Sequence, residues 1–258
     1  MENIIKRKLQ NDQAVHGCWL NSGFPLSAEI VGGAGFDWLL IDLEHGAGTE
    51  SDLISQLQAL NNSSSTPLVR IESFERIRVQ RLLDYGIKGI MFPRINNPEE
   101  AAQAIAAMYY PPKGQRGLAK MIRATEFGDN FEGYLNFTEQ GLLGVIQIET
   151  AEVLDQLDEI ASMEGVDVLF VGPSDLSLAL GIFGQWENSI FQDAIKAVAE
   201  AAKKAGKAAG TLLLNPNDYE FYHQLGYRFL AAGSDLTFIS QGAKQMANLL
   251  NEKQSSLK

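Results

Sequence analysis

In the stretch WLLIDLEHGAGTE an apolar run from Trp38 ends on Asp42, Glu44 and His45 with almost no spacer. Two carboxylates beside an imidazole at the end of a buried strand can move protons, because nearby negative charge makes the imidazole a better base. The other histidines, His16 and His223, lack such company and read as structural. A second set lies in GVIQIET, where strict alternation puts Gln147 and Glu149 on one face and Ile146 and Ile148 on the other. A buried Glu without a partner must take up a proton or bear a large desolvation penalty, so a bound cation explains it economically. Asp175, in FVGPSD, supplies a second carboxylate. Carboxylates with few His and one Cys describe a site for a hard cation such as Mg²⁺ or Mn²⁺, completed by water and substrate oxygens. Plainer readings stand beside these: Glu149 could open the next helix, and Ser174 or Asp175 could cap one. Arg70, inside the apolar run of PLVRIES, must meet an anion, either a substrate carboxylate or enolate oxygen or an internal ion pair.

These residues need a frame that brings strand ends together. Apolar runs predict strands at 16–21, 38–43, 67–71, 89–94, 143–149, 166–171, 208–213 and 228–232. Amphipathic stretches between them predict helices at 51–61, 75–85, 98–108, 151–161, 190–205, 217–225 and 237–250, with Ser73, Asn97 and Thr150 as caps. Strand and helix alternating eight times specify a parallel sheet that can close into a barrel, whose reacting groups sit at the carboxyl ends of the strands. Residues 111–141 are too long for an ordinary loop and predict an inserted segment with structure of its own. No composition shift divides the chain, so one domain over 1–258 is expected.

The 258 residues suffice for such a barrel without a metal or disulfide staple. A net charge of -11, with scattered basic residues, argues against a nucleic-acid partner. The amino end is polar and no apolar run suits a membrane, so a cytoplasmic protein is expected, and the lone Cys18 reads as a small buried hydrophobe.

With those motifs in view, DWLLIDLEH, VRIES, LLDYG, YPPKGQRG, VIQIET, EGVDVLFVGPSDLSLALG and AAGSD resemble, in order and spacing, the HpcH/HpaI family of metal-dependent class II pyruvate aldolases, from about Gly17 to about Asp235. The resemblance implies a (β/α)8 TIM barrel of the phosphoenolpyruvate/pyruvate superfamily and a homohexamer built as a trimer of dimers. It implies that Glu149 and Asp175 hold a divalent ion (Mg²⁺, Mn²⁺ or Co²⁺). Gln147, Gly172, Pro173, Ser174 and Leu212 are then expected to seat pyruvate. His45 is expected as base, Asp84 of LLDYG to orient or charge it, and Arg70 to steady the transition state. For Asp84, late in a helix, the resemblance is the whole warrant. Leu43 stands where many members carry glycine, and by alternation it should point away from the acid pair.

The expected reaction is reversible cleavage of a 4-hydroxy-2-oxo acid to pyruvate and an aldehyde, the growing charge on the enolate oxygen being met by a metal acting as Lewis acid. No predicted strand end offers a lysine for an imine route. Arg116 or Arg123 in the insertion could grip a distal carboxylate or hydroxyl of the aldehyde half, within the chain or across a subunit boundary. Two other readings differ in kind: a CoA-thioester lyase of the malyl- or citramalyl-CoA type, expected to need a longer carboxyl-terminal portion, and a non-catalytic barrel binding an oxoacid, or a phosphate through AAGSD.

Overall fold

The computed structural model describes residues 1–257. Its strands are β1 (Val15–Leu20), β2 (Trp38–Asp42), β3 (Thr66–Arg70), β4 (Gly89–Phe92), β5 (Leu143–Ile148), β6 (Val168–Val171), β7 (Ala208–Leu213) and β8 (Tyr227–Ser234). Each pairs in parallel with its successor and β8 closes on β1, so the sheet is a closed eight-stranded barrel. Around it run α1 (Ile4–Gln10), α2 (Pro25–Gly32), α3 (Glu50–Ala59), α4 (Arg76–Asp84), α5 (Pro98–Met108), α6 (Phe131–Gln140), α7 (Leu157–Ser162), α8 (Pro173–Ala179), α9 (Ser189–Lys204), α10 (Tyr219–Gln224) and α11 (Asp235–Ser255).

Period-two alternation splits each strand between two cores. Trp38, Leu40, Leu68, Met91, Val145, Phe170 and Phe229 fill the barrel, whereas Leu39, Ile41, Val69, Ile90, Ile146 and Ile148 pack under the helices. Large rings are fitted by small neighbours: Trp38 stacks on Phe229 at 4.1 Å, and a Cβ on Gly17 would strike the Trp38 ring. At the amino end of the barrel α1 acts as a plug, with Ile5 in the inner core and the Asn3 amide donating to Lys88 O (3.1 Å) and Gly141 O (2.8 Å).

Among the expected caps, Asn97 holds α5 through Glu100 N at 2.9 Å. Ser73 does not cap α4. Its hydroxyl accepts from Glu75 N at 3.2 Å in a turn, and the helix begins only at Arg76. Thr150 is no cap either, because a 3-10 turn over Glu152–Gln156 intervenes before α7. Between α5 and β5 the chain forms a 3-10 segment, Arg123–Gly128, and then α6.

Candidate active site

The pairing of β2 with β3 sets Asp42 opposite Arg70 on the inner face. Arg70 donates from Nε to Asp42 Oδ1 (2.9 Å) and from Nη2 to Oδ2 (2.8 Å), a bidentate pair sealed inside the barrel. Of the two readings of Arg70, the internal ion pair is therefore realised. Its Nη1 lies 3.2 Å from Glu44 Oε2, and the guanidinium sits over the Trp19 ring at 5.9 Å. Asp42 also accepts from Asn21 Nδ2 (2.7 Å) and from the backbone N–H of Glu44 (3.1 Å) and His45 (3.3 Å). Asp42 thus shapes the loop that carries Glu44 and His45 and has no oxygen left to charge the imidazole. The His45 side chain is 70% exposed, with Nε2 3.9 Å from Glu44 Oε1. Burial raises the Glu44 carboxyl above its ordinary range, Arg70 and His45 oppose that, and Asp42 and Asp175 add to it. Leu43 packs against the outer core, away from the acids.

On β5, Gln147 points inward and Glu149 follows it to the rim. Glu149 is 4% exposed. Its Oε1 accepts from Arg94 N at 2.6 Å and its Oε2 from Gln147 Nε2. Burial pushes the Glu149 carboxyl up to about 7, the Arg94 N–H holds it back, Asp175 and Glu44 add to the rise, and Arg70 opposes it. Across from it, Gly172 precedes α8, Pro173 opens the helix, and Ser174 and Asp175 lie exposed in its first turn, where backbone N–H groups lack intrahelical acceptors. Glu149 and Asp175 open on one cavity of about 510 Å³, with Arg94, Asn96, Thr150 and Glu152. Leu212 of β7 is packed, half-buried, against the inner core.

This rim fits a hard cation. Glu149 is desolvated among acids, the buried Gln147 Oε1 has no partner among the described residues, and a Cβ on Gly172 would lie 2.8 Å from both Gln147 Nε2 and Glu149 Oε2. Oxygen donors of two carboxylates suit Mg²⁺ or Mn²⁺. Among the described residues no three His, Cys, Asp or Glu side chains converge, so a cation here would take its remaining ligands from water and substrate.

Three residues expected near the chemistry lie elsewhere. Asp84 ends α4, just before the start of β4, and so sits at the barrel end opposite His45. There it receives Arg116 Nη2 at 2.6 Å. Within one chain it cannot orient the imidazole. Arg116 is buried between Asp84 and Tyr134, and Arg123 donates to Tyr85 O (2.7 Å) and Asn61 Oδ1 (3.0 Å), so within one chain neither reaches this rim. The phosphate reading of AAGSD also lapses. Asp235 is 2% exposed, and its carboxylate accepts from Asn21 N (2.8 Å) and Ser27 Oγ (2.9 Å) where an anion would have to enter. A larger cavity, about 850 Å³, lies by α6 around Tyr110 and Arg116 and contains neither Glu149 nor Asp175. Size alone does not locate this site.

His16 contacts Tyr219 Oη at 3.1 Å and His223 stacks on the same ring, both away from the rim acids. Burial pushes the Cys18 thiol up to about 12, in keeping with an inert packing residue. The residue that sequence reading missed is Arg94. It lies just past β4 with a left-handed backbone (φ 51°), and its one visible signal is a charge directly after Pro93 at a strand end.

A family model described as HpcH/HpaI aldolase/citrate lyase matches residues 16–241. A 5-keto-4-deoxy-D-glucarate aldolase from Shigella boydii is 39% identical over 95% of this chain and 95% of its own. An HpcH/HpaI aldolase/citrate lyase family protein from Burkholderia cenocepacia superposes with a TM-score of 0.91 at 34% identity, covering 96% of this chain and 99% of that one. An HpcH/HpaI aldolase from Desulfitobacterium hafniense does so with 0.90 at 28% identity, covering 98% of each. With paired rim carboxylates on a closed barrel and this likeness over nearly its whole length, the chain belongs to the HpcH/HpaI aldolase/citrate lyase family and is an aldolase that cleaves a 4-hydroxy-2-oxo acid.

Proposed function

We propose that the acid it cleaves is a sugar diacid of the 5-keto-4-deoxy-D-glucarate kind, released as pyruvate and a semialdehyde, and that a divalent cation held by Glu149 and Asp175 is required. The observation that carries this reading is Glu149, desolvated on the inner wall and opening with Asp175 on one cavity. Bound there, the cation supplies Lewis-acid neutralisation of the charge that develops on the keto oxygen. Gln147 and Arg94 N hold the Glu149 carboxylate in place from two sides. Gly172 and Pro173 keep the opposite wall thin, and the backbone of Ser174, with Leu212, bounds the seat for pyruvate. Arg70, fixed by Asp42, presents Nη1 to the rim as a fixed positive charge. His45, open to solvent, takes the proton from the 4-hydroxyl as the carbon bond breaks and returns one to the pyruvate methyl.

The reading extends to a cytoplasmic single-domain enzyme assembled as a homohexamer, a trimer of dimers. Assembly is supported by α11, whose Leu236, Phe238, Ile239, Met246, Leu249 and Leu250 are all exposed at helical spacing, and by exposed Leu26 and Ile30 on α2 with Phe24 just before it. An Asp84 able to serve His45 would then come from a second copy.

The test is pyruvate release, followed with a coupled dehydrogenase over a panel of 4-hydroxy-2-oxo acids, with chelator and with Mg²⁺, Mn²⁺ or Co²⁺ restored. Activity that needs metal, and is largest on the diacid, is expected. Undiminished cleavage in chelator would defeat the metal assignment.

A further inference from the structure

We propose that Arg94 is the specificity-determining residue for the far end of the substrate: its guanidinium takes the distal carboxylate of the diacid, on the same cavity whose other side is Glu149 and Asp175. The inference rests on the aldolase reading above and adds to it which residue recognises the half of the substrate that leaves as the semialdehyde.

Charge singles out Arg94. The cavity is lined by the carboxylates of Glu149, Glu152 and Asp175 and by a single cation, Arg94. Arg94 is exposed, and none of the ion pairs among the described residues includes it. The other candidate arginines are committed elsewhere, Arg70 to Asp42 and Arg116 to Asp84. Arg94 is therefore the guanidinium at this rim whose donors remain open, and a carboxylate is the ligand its planar fork fits best.

The backbone of Arg94 is also held in an unusual conformation. A non-glycine residue at φ 51° is uncommon, and such conformations persist where the surroundings hold them for a purpose. Here the surroundings are explicit. Arg94 N donates to Glu149 Oε1 at 2.6 Å, and Arg94 O accepts from Asn96 Nδ2 at 3.0 Å. β4 and β5 are neighbours in the sheet, so the residue that orients Glu149 through its main chain sends its side chain over the adjoining wall of the cavity. The two ends of one ligand are thereby placed by one residue and the carboxylate it touches.

Thr150 supplies an independent observation. It lines this cavity, is 8% exposed, and its Oγ1 has no hydrogen-bond partner among the described residues. A hydroxyl left without a partner at a buried position is costly, and a turn of the Thr150 side chain toward the cavity would let a polyhydroxylated chain running from Glu149 toward Arg94 satisfy it. A cavity of about 510 Å³ also falls within the range that houses a whole small ligand.

The experiment compares two 4-hydroxy-2-oxo acids of equal chain length, one ending in a carboxylate and one in CH₂OH, with the unaltered protein, Arg94→Asn and Arg94→Lys. Asparagine tolerates the left-handed backbone and keeps the N–H on Glu149. The expected result is that Arg94→Asn lowers the ratio of kcat/KM for the diacid over the neutral-ended acid about tenfold to hundredfold, chiefly through KM, the range a charge-assisted hydrogen bond commands. Arg94→Lys should restore part of that ratio. An equal loss on both substrates would mean that Arg94 acts through Glu149 alone, and no change on either would mean that its side chain touches nothing in the reaction; each result overturns the proposal. Release of no pyruvate from either acid by the unaltered protein would instead overturn the aldolase reading, and this subsite with it.

Discussion

At the scale of single residues the site rests on two carboxylates in contrasting surroundings. Asp42 is neutralised by its bidentate bonds to Arg70, whereas Glu149 receives only a backbone N–H and an amide inside a field of other acids. The raised Glu149 value has a definite consequence for stability. Its carboxyl ionises near 4.5 in the unfolded chain and near 7 in the folded one, so between those values the folded state binds more protons and stability falls as pH rises. The cost is absent below about 4.5, complete above about 7, and on the order of 3 kcal/mol. In chelator, Glu149→Gln should therefore be more stable than the parent at pH 8 and lose that advantage by pH 5, as read from thermal midpoints. Added Mn²⁺ should stabilise the parent alone at pH 8. Equal midpoints at both pH values would show that Glu149 carries no such burden. Residue roles were partly legible in the sequence: alternation placed Gln147 and Glu149 together, and a charge in an apolar run marked Arg70. The choice of Asp42 as its partner depends on strand register, which lies in pairing across 28 residues and leaves no local pattern.

At the scale of elements the eight strands were legible because both faces of a barrel strand are buried and read as apolar runs bounded by turns. Helix α1 was not, since its exposed polar positions outnumber Ile5, the one residue it buries. Helix α2 hid for a different reason: Phe24, Leu26 and Ile30 are exposed, which blurs the one-sided pattern that marks a surface helix. Ser73 and Thr150 were misleading caps because a hydroxyl before an apolar run serves a turn as well as a helix. The strand-to-helix joint at Gly172 carries its own prediction. Gly172→Ala would place a methyl against both Gln147 and Glu149, so activity should fall by more than tenfold while circular dichroism stays unchanged. Near-normal turnover in Gly172→Ala would remove Gly172 from the list of groups that shape the seat.

At the scale of the whole molecule, the barrel sorts chemistry to one end and closure to the other. The rim acids sit at the carboxyl ends of the strands, while α1, Asp84 and Arg116 belong to the amino end. The rim was readable from strand ends once eight strands were counted. The opposite placement of Asp84 was readable in the same way, since the expected helix 75–85 ends just before the expected strand 89–94; the role assigned to Asp84 came from the motif match alone, which says nothing of which barrel end a residue occupies. Charging the apolar face of α11, as in Ile239→Asp with Met246→Asp, should lower the mass found by analytical ultracentrifugation. Mixing inactive His45→Ala and Asp84→Ala chains, after dissociation and reassembly, should recover activity if a second copy supplies Asp84, whereas a mixture as inactive as its parts would confine Asp84 to its bond with Arg116.

The most direct measurement is Mn²⁺ binding by electron paramagnetic resonance, because it reads the acidic pair without substrate or turnover. One ion per chain is predicted for the parent, with binding lost in Glu149→Gln and in Asp175→Asn while both stay folded by circular dichroism. Equal Mn²⁺ binding by the parent and by Glu149→Gln would contradict the account.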